Sequence, residues 1–244
     1  DGMLLQDKVA IVTGAASGLG KAIALEYLKE GATVIATDIN AEKLNQLQQE
    51  YSDLGWLYTV VGDVSSKDDD EALINYVYEQ FGKLDILVNN AATDDETGCD
   101  TIETITQGVI DETFAVNVRG SILMIREFLK HRGDYGRILN ISTDAAQIFA
   151  GQITYGSSKA TLEALTRSVA LEAAQYGITV NCVAPGPTQT GWIDSEFEKQ
   201  VVPLIPMGQL IQPEDISDTI LFLASKRARL LTGQIIKVSG GHAL

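Results

Sequence analysis

Short apolar runs alternate with helix-length amphipathic segments along the whole chain. KVAIVT (8–13) carries consecutive apolar side chains, the pattern of a strand covered on both faces. Residues 18–30 repeat Leu19, Ile23 and Tyr27 at every fourth position, one face of a helix, and Gly31 is a stop signal behind it. TVIAT (33–37) predicts a second strand, followed by a helix at 42–49. LYTVV (57–61) predicts a third, followed by a helix at 68–81, and DILVNN (85–90) a fourth. The alternation then repeats. A long helix is expected over 107–131, a strand at RILNIS (137–142), and a helix over 155–176 with Leu162, Leu165 and Val169 on its buried face. ITVNCVA (178–184), a helix at 213–225 and QIIKV (234–238) complete the series. Such alternation predicts an α/β fold, a doubly wound parallel sheet with helices on both faces.

The chain has 244 residues, 45% of them hydrophobic, and no Pro/Gly/Ser-rich linker divides it. One domain over 1–244 is expected. Asp1 and Gly2 ahead of Met3 read as a cloning scar. The net charge of −15 is spread along the chain and argues against nucleic-acid or anionic-membrane partners. No apolar run approaches the roughly 20 residues of a membrane span, and, with no charged n-region leading into an apolar stretch, no signal peptide is expected. Two cysteines, Cys99 and Cys182, without an export signal predict reduced thiols and a cytoplasmic location. The two histidines, His131 and His242, are too few for a His-rich metal site, and no metal is expected.

Between the first strand and the first helix stands TGAASGLG (13–20). Glycines 14, 18 and 20 allow a sharp turn and let a pyrophosphate approach a helix N-terminus, where free N–H groups favour anionic oxygens. The strand–turn–helix context gives the glycine pattern its weight. Asp38 ends the second strand, where a carboxylate can accept hydrogen bonds from the adenosine ribose hydroxyls and would repel a 2′-phosphate. Ile39 follows it and Ser17, not a base, precedes Gly18. These residues predict NAD over NADP. Asp63, after the third strand, is expected to meet the adenine edge or to cap the turn at Ser65.

YGSSK (155–159) puts Tyr155 and Lys159 one turn apart on one helix face. Free tyrosine titrates near pH ~10. A neighbouring ammonium favours phenolate and moves that value toward the working range of a general base.

With these motifs in order, the chain resembles the short-chain dehydrogenase/reductase family over nearly its full length. TGxxxGxG appears at 13–20, NNAG as Asn89-Asn90-Ala91-Ala92, the helix asparagine as Asn117, YxxxK as Tyr155–Lys159, and PGxxxT as Pro185, Gly186 and Thr190. The resemblance implies a seven-stranded sheet, a single Rossmann-fold domain, and alcohol–ketone interconversion by hydride transfer. It implies that Tyr155 is the general acid/base, that Lys159 holds the nicotinamide ribose, and that Asn117 keeps a water in a proton relay. Cofactor contacts are implied for Gly14, Ser17, Gly18, Leu19, Gly20, Asp38, Asp63, Val64, Asn90, Ala91, Tyr155, Lys159, Pro185, Gly186, Thr188 and Thr190. A homo-oligomer, tetramer or dimer, is implied as well.

The chain departs from the family pattern in places. Strand register makes Thr143 the residue that holds the substrate oxygen, whereas spacing back from Tyr155 makes it Ser142. Both stand. Ala92 in place of glycine adds a methyl group beside the nicotinamide. The family's VDGG reads Val238-Ser-Gly-Gly241. Substrate selectivity is expected in loops at 93–100, 144–153 and 191–210, the last rich in apolar residues such as Trp192, Phe197 and Met207. The expected substrate is a small-molecule secondary alcohol or ketone. A 3-oxoacyl-[acyl-carrier-protein] reductase is the alternative, made less favourable by the acidic charge, Asp38, and Asp134 and Leu171 at positions where such members often carry arginine. A non-catalytic NAD sensor is a third reading, opposed by the intact Asn117, Tyr155 and Lys159.

Overall fold

In KVAIVT the side chains divide by parity. Val9 and Ile11 enter one core layer, and Ala10 and Val12 enter the other. This is the period-two signature of a strand covered on both faces. The computed structural model describes residues 2–93 and 100–243. The strands are β1 (Val9–Thr13), β2 (Thr33–Asp38), β3 (Leu57–Val61), β4 (Ile86–Asn89), β5 (Gly136–Ile141), β6 (Ile178–Pro185) and β7 (Ile235–Val238). They form one seven-stranded sheet in the order β3-β2-β1-β4-β5-β6-β7, every pair parallel. The chain reverses its direction of travel at β1, which pairs with β2 on one edge and with β4 on the other.

The helices are α1 (Gly18–Lys29), α2 (Ala41–Tyr51), α3 (Lys67–Phe81), α4 (Gln107–Phe114), α5 (Ser121–Lys130), α6 (Ile153–Ala174), α7 (Ser195–Val201) and α8 (Pro213–Ala224). Ile23 and Tyr27 of α1, Leu44 and Leu47 of α2, and Ile216 and Ile220 of α8 pack on one face of the sheet. Leu73, Ile74 and Val77 of α3, Met124 and Phe128 of α5, and Ala170 and Ala173 of α6 pack on the other. Fully burying such aliphatic side chains is worth about 1.5–3 kcal/mol each, so the two apolar layers fix which loops meet at the carboxyl ends of the strands.

Two differences from the sequence reading matter for the site. The helix expected to run unbroken over 107–131 is interrupted by a π-helical stretch, Ala115–Gly120. Helical periodicity alone does not reveal this, because a π turn changes the backbone hydrogen bonding and leaves the apolar spacing nearly intact. The expected loop at 191–210 contains α7, whose first turn is capped by Asp194: its Oδ1 accepts from Glu196 N at 3.0 Å and Phe197 N at 2.8 Å. The acidic stretch 94–99, with Cys99, lies outside the described residues. No helix among the described residues is long and apolar enough to cross a membrane.

Candidate functional site

A cavity of about 1480 Å³ opens at the carboxyl ends of the strands, across the β1/β4 switch. Crevices of this kind form where neighbouring connections leave to opposite faces of the sheet. The β1–α1 turn forms its floor. Gly14 has φ +63°, and a Cβ there would lie 2.9 Å from Ala91 Cα. A Cβ on Gly20 would lie 2.2 Å from Gly14 O, so a bare backbone is required for the helix to start this close to the turn. Thr13 Oγ1 accepts from Asn90 N at 3.0 Å and Ala91 N at 2.9 Å. Asn90 Nδ2 in turn donates to Thr13 O at 3.1 Å and Gly14 O at 3.2 Å. The Asn-Asn-Ala segment after β4 therefore locks the glycine turn from the side.

Ser17 occupies the N-cap of α1, and its side chain makes no capping bond. Asp38 closes β2 with Oδ2 accepting from Ala16 N at 3.1 Å and Oδ1 from Asn40 N at 3.0 Å. Its carboxylate is thus aimed over the turn, beside the exposed Ile39. Asp63 Oδ1 accepts from Ser65 N at 2.8 Å and Ser65 Oγ at 2.7 Å, so it caps that turn while also lining the cavity. The turn is free of side-chain bulk, the helix N-terminus lies beside it, and a carboxylate sits at the end of the second strand. These features fit a dinucleotide.

Tyr155 and Lys159 stand on the first turns of α6, which begins two residues before Tyr155. Asp100, on the far side of the 94–99 stretch, holds that end: its Oδ2 accepts from Thr154 N at 3.0 Å and from the Thr154 hydroxyl. Lys159 is 2% exposed. Its Nζ donates to Ile141 O at 2.8 Å and lies 5.6 Å from the centre of the Tyr155 ring. Burial lowers the Lys159 pKa to about 8, so the side chain is still mostly an ammonium at neutral pH. Beneath it burial pushes the Cys182 thiol up to about 12, with Glu163 adding to the shift. That cysteine is inert at neutral pH.

The two candidates at the end of β5 separate. Asn140 and Ser142, two apart, both turn toward α6: Asn140 Nδ2 donates to Thr166 Oγ1 at 3.0 Å, and Ser142 Oγ donates to Glu163 Oε1 at 2.9 Å. Ser142 is buried, whereas Thr143 is half-buried in the cavity wall. Asn117 is fully buried in the π-helical stretch. Its Oδ1 accepts from Thr93 N at 2.7 Å, and its Nδ2 donates to Thr93 O at 2.9 Å and Ser158 Oγ at 3.0 Å. The amide clamps the β4 exit loop to α6 from behind, while Ala115 and Val116 of the same stretch face the cavity.

Of the candidate catalytic and cofactor-binding residues, all but Gly18, Gly20 and Asn117 line this one cavity. Among the described residues no group of three or more His, Cys, Asp or Glu side chains is arranged to hold a metal ion. Three contacts escaped the sequence reading: Asp100 with Thr154, Ser142 with Glu163, and Asp144 with His242. Glu163 had a signal, since it lies one turn beyond Lys159 on the same helix face. The other two join distant segments without any pattern.

The family model described as enoyl-(acyl carrier protein) reductase matches residues 14–243. The (2S)-[(R)-hydroxy(phenyl)methyl]succinyl-CoA dehydrogenase subunit BbsD of Thauera aromatica is 38% identical over 99% of this chain and 99% of its own. A short-chain dehydrogenase/reductase of Serratia marcescens, solved as a double mutant, superposes with a TM-score of 0.92 at 30% identity, covering 99% of this chain and 100% of that one. The 3-ketoacyl-(acyl-carrier-protein) reductase of Brucella melitensis, solved with NADH, superposes with a TM-score of 0.91 at 31% identity, covering 98% and 100%. With this fold and cleft, the chain belongs to the short-chain dehydrogenase/reductase family, oxidoreductases that act on alcohol and ketone groups with a nicotinamide cofactor.

Proposed function

We propose that the protein interconverts a secondary alcohol and a ketone with NAD(H), and that Tyr155 moves the proton at the substrate oxygen. The observation that carries this reading is the buried ammonium of Lys159, 5.6 Å from the Tyr155 ring in the wall of the cleft. A desolvated cation stabilises phenolate more strongly than one in water. In the oxidative direction Tyr155 takes the alcohol proton, and in the reductive direction it returns it. When bound, the nicotinamide accepts or donates the hydride at the carbinol carbon. Thr143 is the better of the two candidates for holding the substrate oxygen, because it is half-buried in the cavity wall whereas Ser142 is buried toward α6. Trp192 and Phe197, whose rings meet at 5.4 Å between centroids in a tilted pair, and Leu204 provide an apolar wall to the cleft.

Asp38 and the N-terminal amides of α1 are the residues to hold the adenosine ribose and the pyrophosphate. A 2′-phosphate a few Å from the Asp38 carboxylate would meet like-charge repulsion of about 1–4 kcal/mol, a preference for NAD of about fivefold or more. The same reading includes a cytoplasmic location and assembly into dimers or tetramers through α4, α5 and α6, on which Ile110, Ile122 and Leu171 are exposed.

The test is an absorbance screen at the reduced-nicotinamide band, with NAD⁺ or NADP⁺ and a panel of diols, sugar alcohols, hydroxy acids and hydroxysteroids. Tyr155→Phe serves as the control. Turnover with NAD⁺ that falls about 10²–10⁴-fold in Tyr155→Phe is expected. A variant as active as the wild type would overturn the role of Tyr155, and tighter binding of NADP⁺ would overturn the cofactor preference. The likeness to the Brucella melitensis reductase supports a second reading, a 3-oxoacyl reductase. Reduction of acetoacetyl-CoA with NADPH far faster than of simple ketones would select it.

A further inference from the structure

The tail that follows β7 is built into the substrate side of the cleft. Gly240 O accepts from Met207 N at 3.0 Å, and His242 N donates to Ser239 O at 3.1 Å. A Cβ on Gly241 would lie 3.0 Å from Pro206, so the tail lies close against the segment behind α7. These contacts deliver His242 to Asp144, the residue next to Thr143. His242 Nδ1 lies 2.6 Å from Asp144 Oδ2. The carboxylate is 4% exposed while the imidazole retains 26%, and both residues line the cavity that holds Tyr155. The pair crosses bare backbone: a Cβ on Gly186 would lie 3.1 Å from Asp144 Oδ2 and 2.8 Å from Ser239 Cα. Three segments thus converge on it, the exits of β5 and β6 and the tail after β7.

With Nδ1–H donating to the carboxylate, the ring orientation is fixed and Nε2 is the remaining polar atom. It donates when the imidazole is charged and accepts when it is neutral. An oxygen function suits either state. An apolar group packed against the ring would remove water from that nitrogen without replacing its hydrogen bond, which is unfavourable. The cover supplied by α7 and the segment around it, through Trp192, Phe197, Val201 and Leu204, is apolar.

We propose that His242, held by Asp144, is a specificity-determining residue that receives a second oxygen function of the substrate close to the reacting carbon. The substrate class is then a diol, a hydroxy acid or a β-oxygenated thioester, and not a monofunctional alcohol. This rests on the dehydrogenase reading above. His242 is the binding residue, and Asp144 positions it.

The experiment compares kcat/KM for vicinal butanediol and for β-hydroxybutyrate with that for sec-butanol, in the wild type, His242→Leu, His242→Gln and Asp144→Asn. One hydrogen bond to a charged or strongly polarised partner corresponds to about tenfold or more in the ratio. In at least one pair the ratio is expected to favour the oxygen-bearing substrate, mainly through KM, to collapse in His242→Leu and to recover partly in His242→Gln. A second readout needs neither turnover nor a variant at the site. The chain has two histidines, so the His242 ring proton signal is assignable in a His131→Gln background. In the NADH complex it is expected to shift on saturation with the preferred substrate. Turnover of the alcohols with a ratio unchanged in His242→Leu, or with a silent His242 signal, would overturn this proposal and leave the dehydrogenase reading intact. No turnover of any alcohol or of the matching ketones by the wild type would overturn that reading, and this proposal with it.

Discussion

Replacing Lys159 with methionine separates what the buried cation costs the fold from what it does for the reaction. Burial lowers the Lys159 pKa from 10.5 to about 8. At 1.36 kcal/mol per unit, the charged side chain destabilises the native state by about 3 kcal/mol at pH 7. Loss of the Nζ–H···O bond to Ile141 offsets about 1 kcal/mol of the gain on removing it. Lys159→Met is therefore expected to be more stable than the wild type at pH 7 by about 2 kcal/mol, or ~4–8 °C in Tm for a chain of this length. The pH dependence is the sharper test. Above pH 8 the native lysine gives up its proton, while the unfolded chain holds its own until about pH 10.4. The unfolded state then binds more protons, and wild-type stability rises relative to the variant through that window. Thermal melts followed by circular dichroism at pH 7 and pH 10 would show the Tm advantage of Lys159→Met shrinking as pH rises. Turnover in the same variant is expected to fall about 10²-fold or more, because Tyr155 loses its ammonium neighbour. A variant less stable than the wild type at pH 7, or a gap that does not narrow by pH 10, would refute the assignment of burial as the dominant effect.

Thr143→Val is expected to lower kcat about 10²-fold or more, as for loss of an oxyanion donor, whereas Ser142→Ala acts mainly on stability, by about 1–2 kcal/mol, through Glu163. Steady-state kinetics with the larger kcat loss in Ser142→Ala would reverse that assignment. Asp70 is 2% exposed with Oδ2 lacking a hydrogen-bond partner, and burial first, then Asp69 and Asp63, raises its pKa to about 8. Between pH 4 and 8 the native state holds a proton that the unfolded chain has lost, so wild-type stability falls as pH rises. The stability gain of Asp70→Asn is expected to grow from pH 5 to pH 8 by up to about 4 kcal/mol, and parallel stability curves against pH would count against it. Gly20→Ala forces a Cβ to within 2.2 Å of Gly14 O. It is expected to cost about 1–3 kcal/mol of stability and to diminish the thermal shift given by saturating NAD⁺, an expectation that an unchanged shift would contradict.

The strands and most helices were legible because burial on two faces leaves long apolar runs in KVAIVT and ITVNCVA, and one-sided burial leaves the fourfold spacing of Leu19, Ile23 and Tyr27. The glycine turn was legible for a different reason, since Gly14 and Gly20 stand where no Cβ fits. The π-helical stretch around Asn117 was not, because the change lies in the backbone and the side-chain pattern continues across it. Helix α7 escaped because its polar segment SEFEKQV buries only Val201, too little for a periodic signal. The bond from Ser142 to Glu163 was not legible either, because its partner sits on another element. The Asp144–His242 pair had no precursor in the sequence at all.

The position of β1, paired on both edges, also bears on how the chain reaches its native state. Its β2 partner follows after a single helix, but β4 arrives only after roughly three times as much intervening chain. Closing the longer loop is about 1 kcal/mol less favourable, since that entropy grows only with the logarithm of length. Until Ile86–Asn89 docks, VAIVT presents an unpaired row of amides and carbonyls with apolar side chains on both sides, a template for pairing with another molecule. Parallel pairing between distant segments is slow. Refolding from denaturant is therefore a contest between that intramolecular closure and bimolecular capture, and the yield of active protein falls as its concentration during refolding rises.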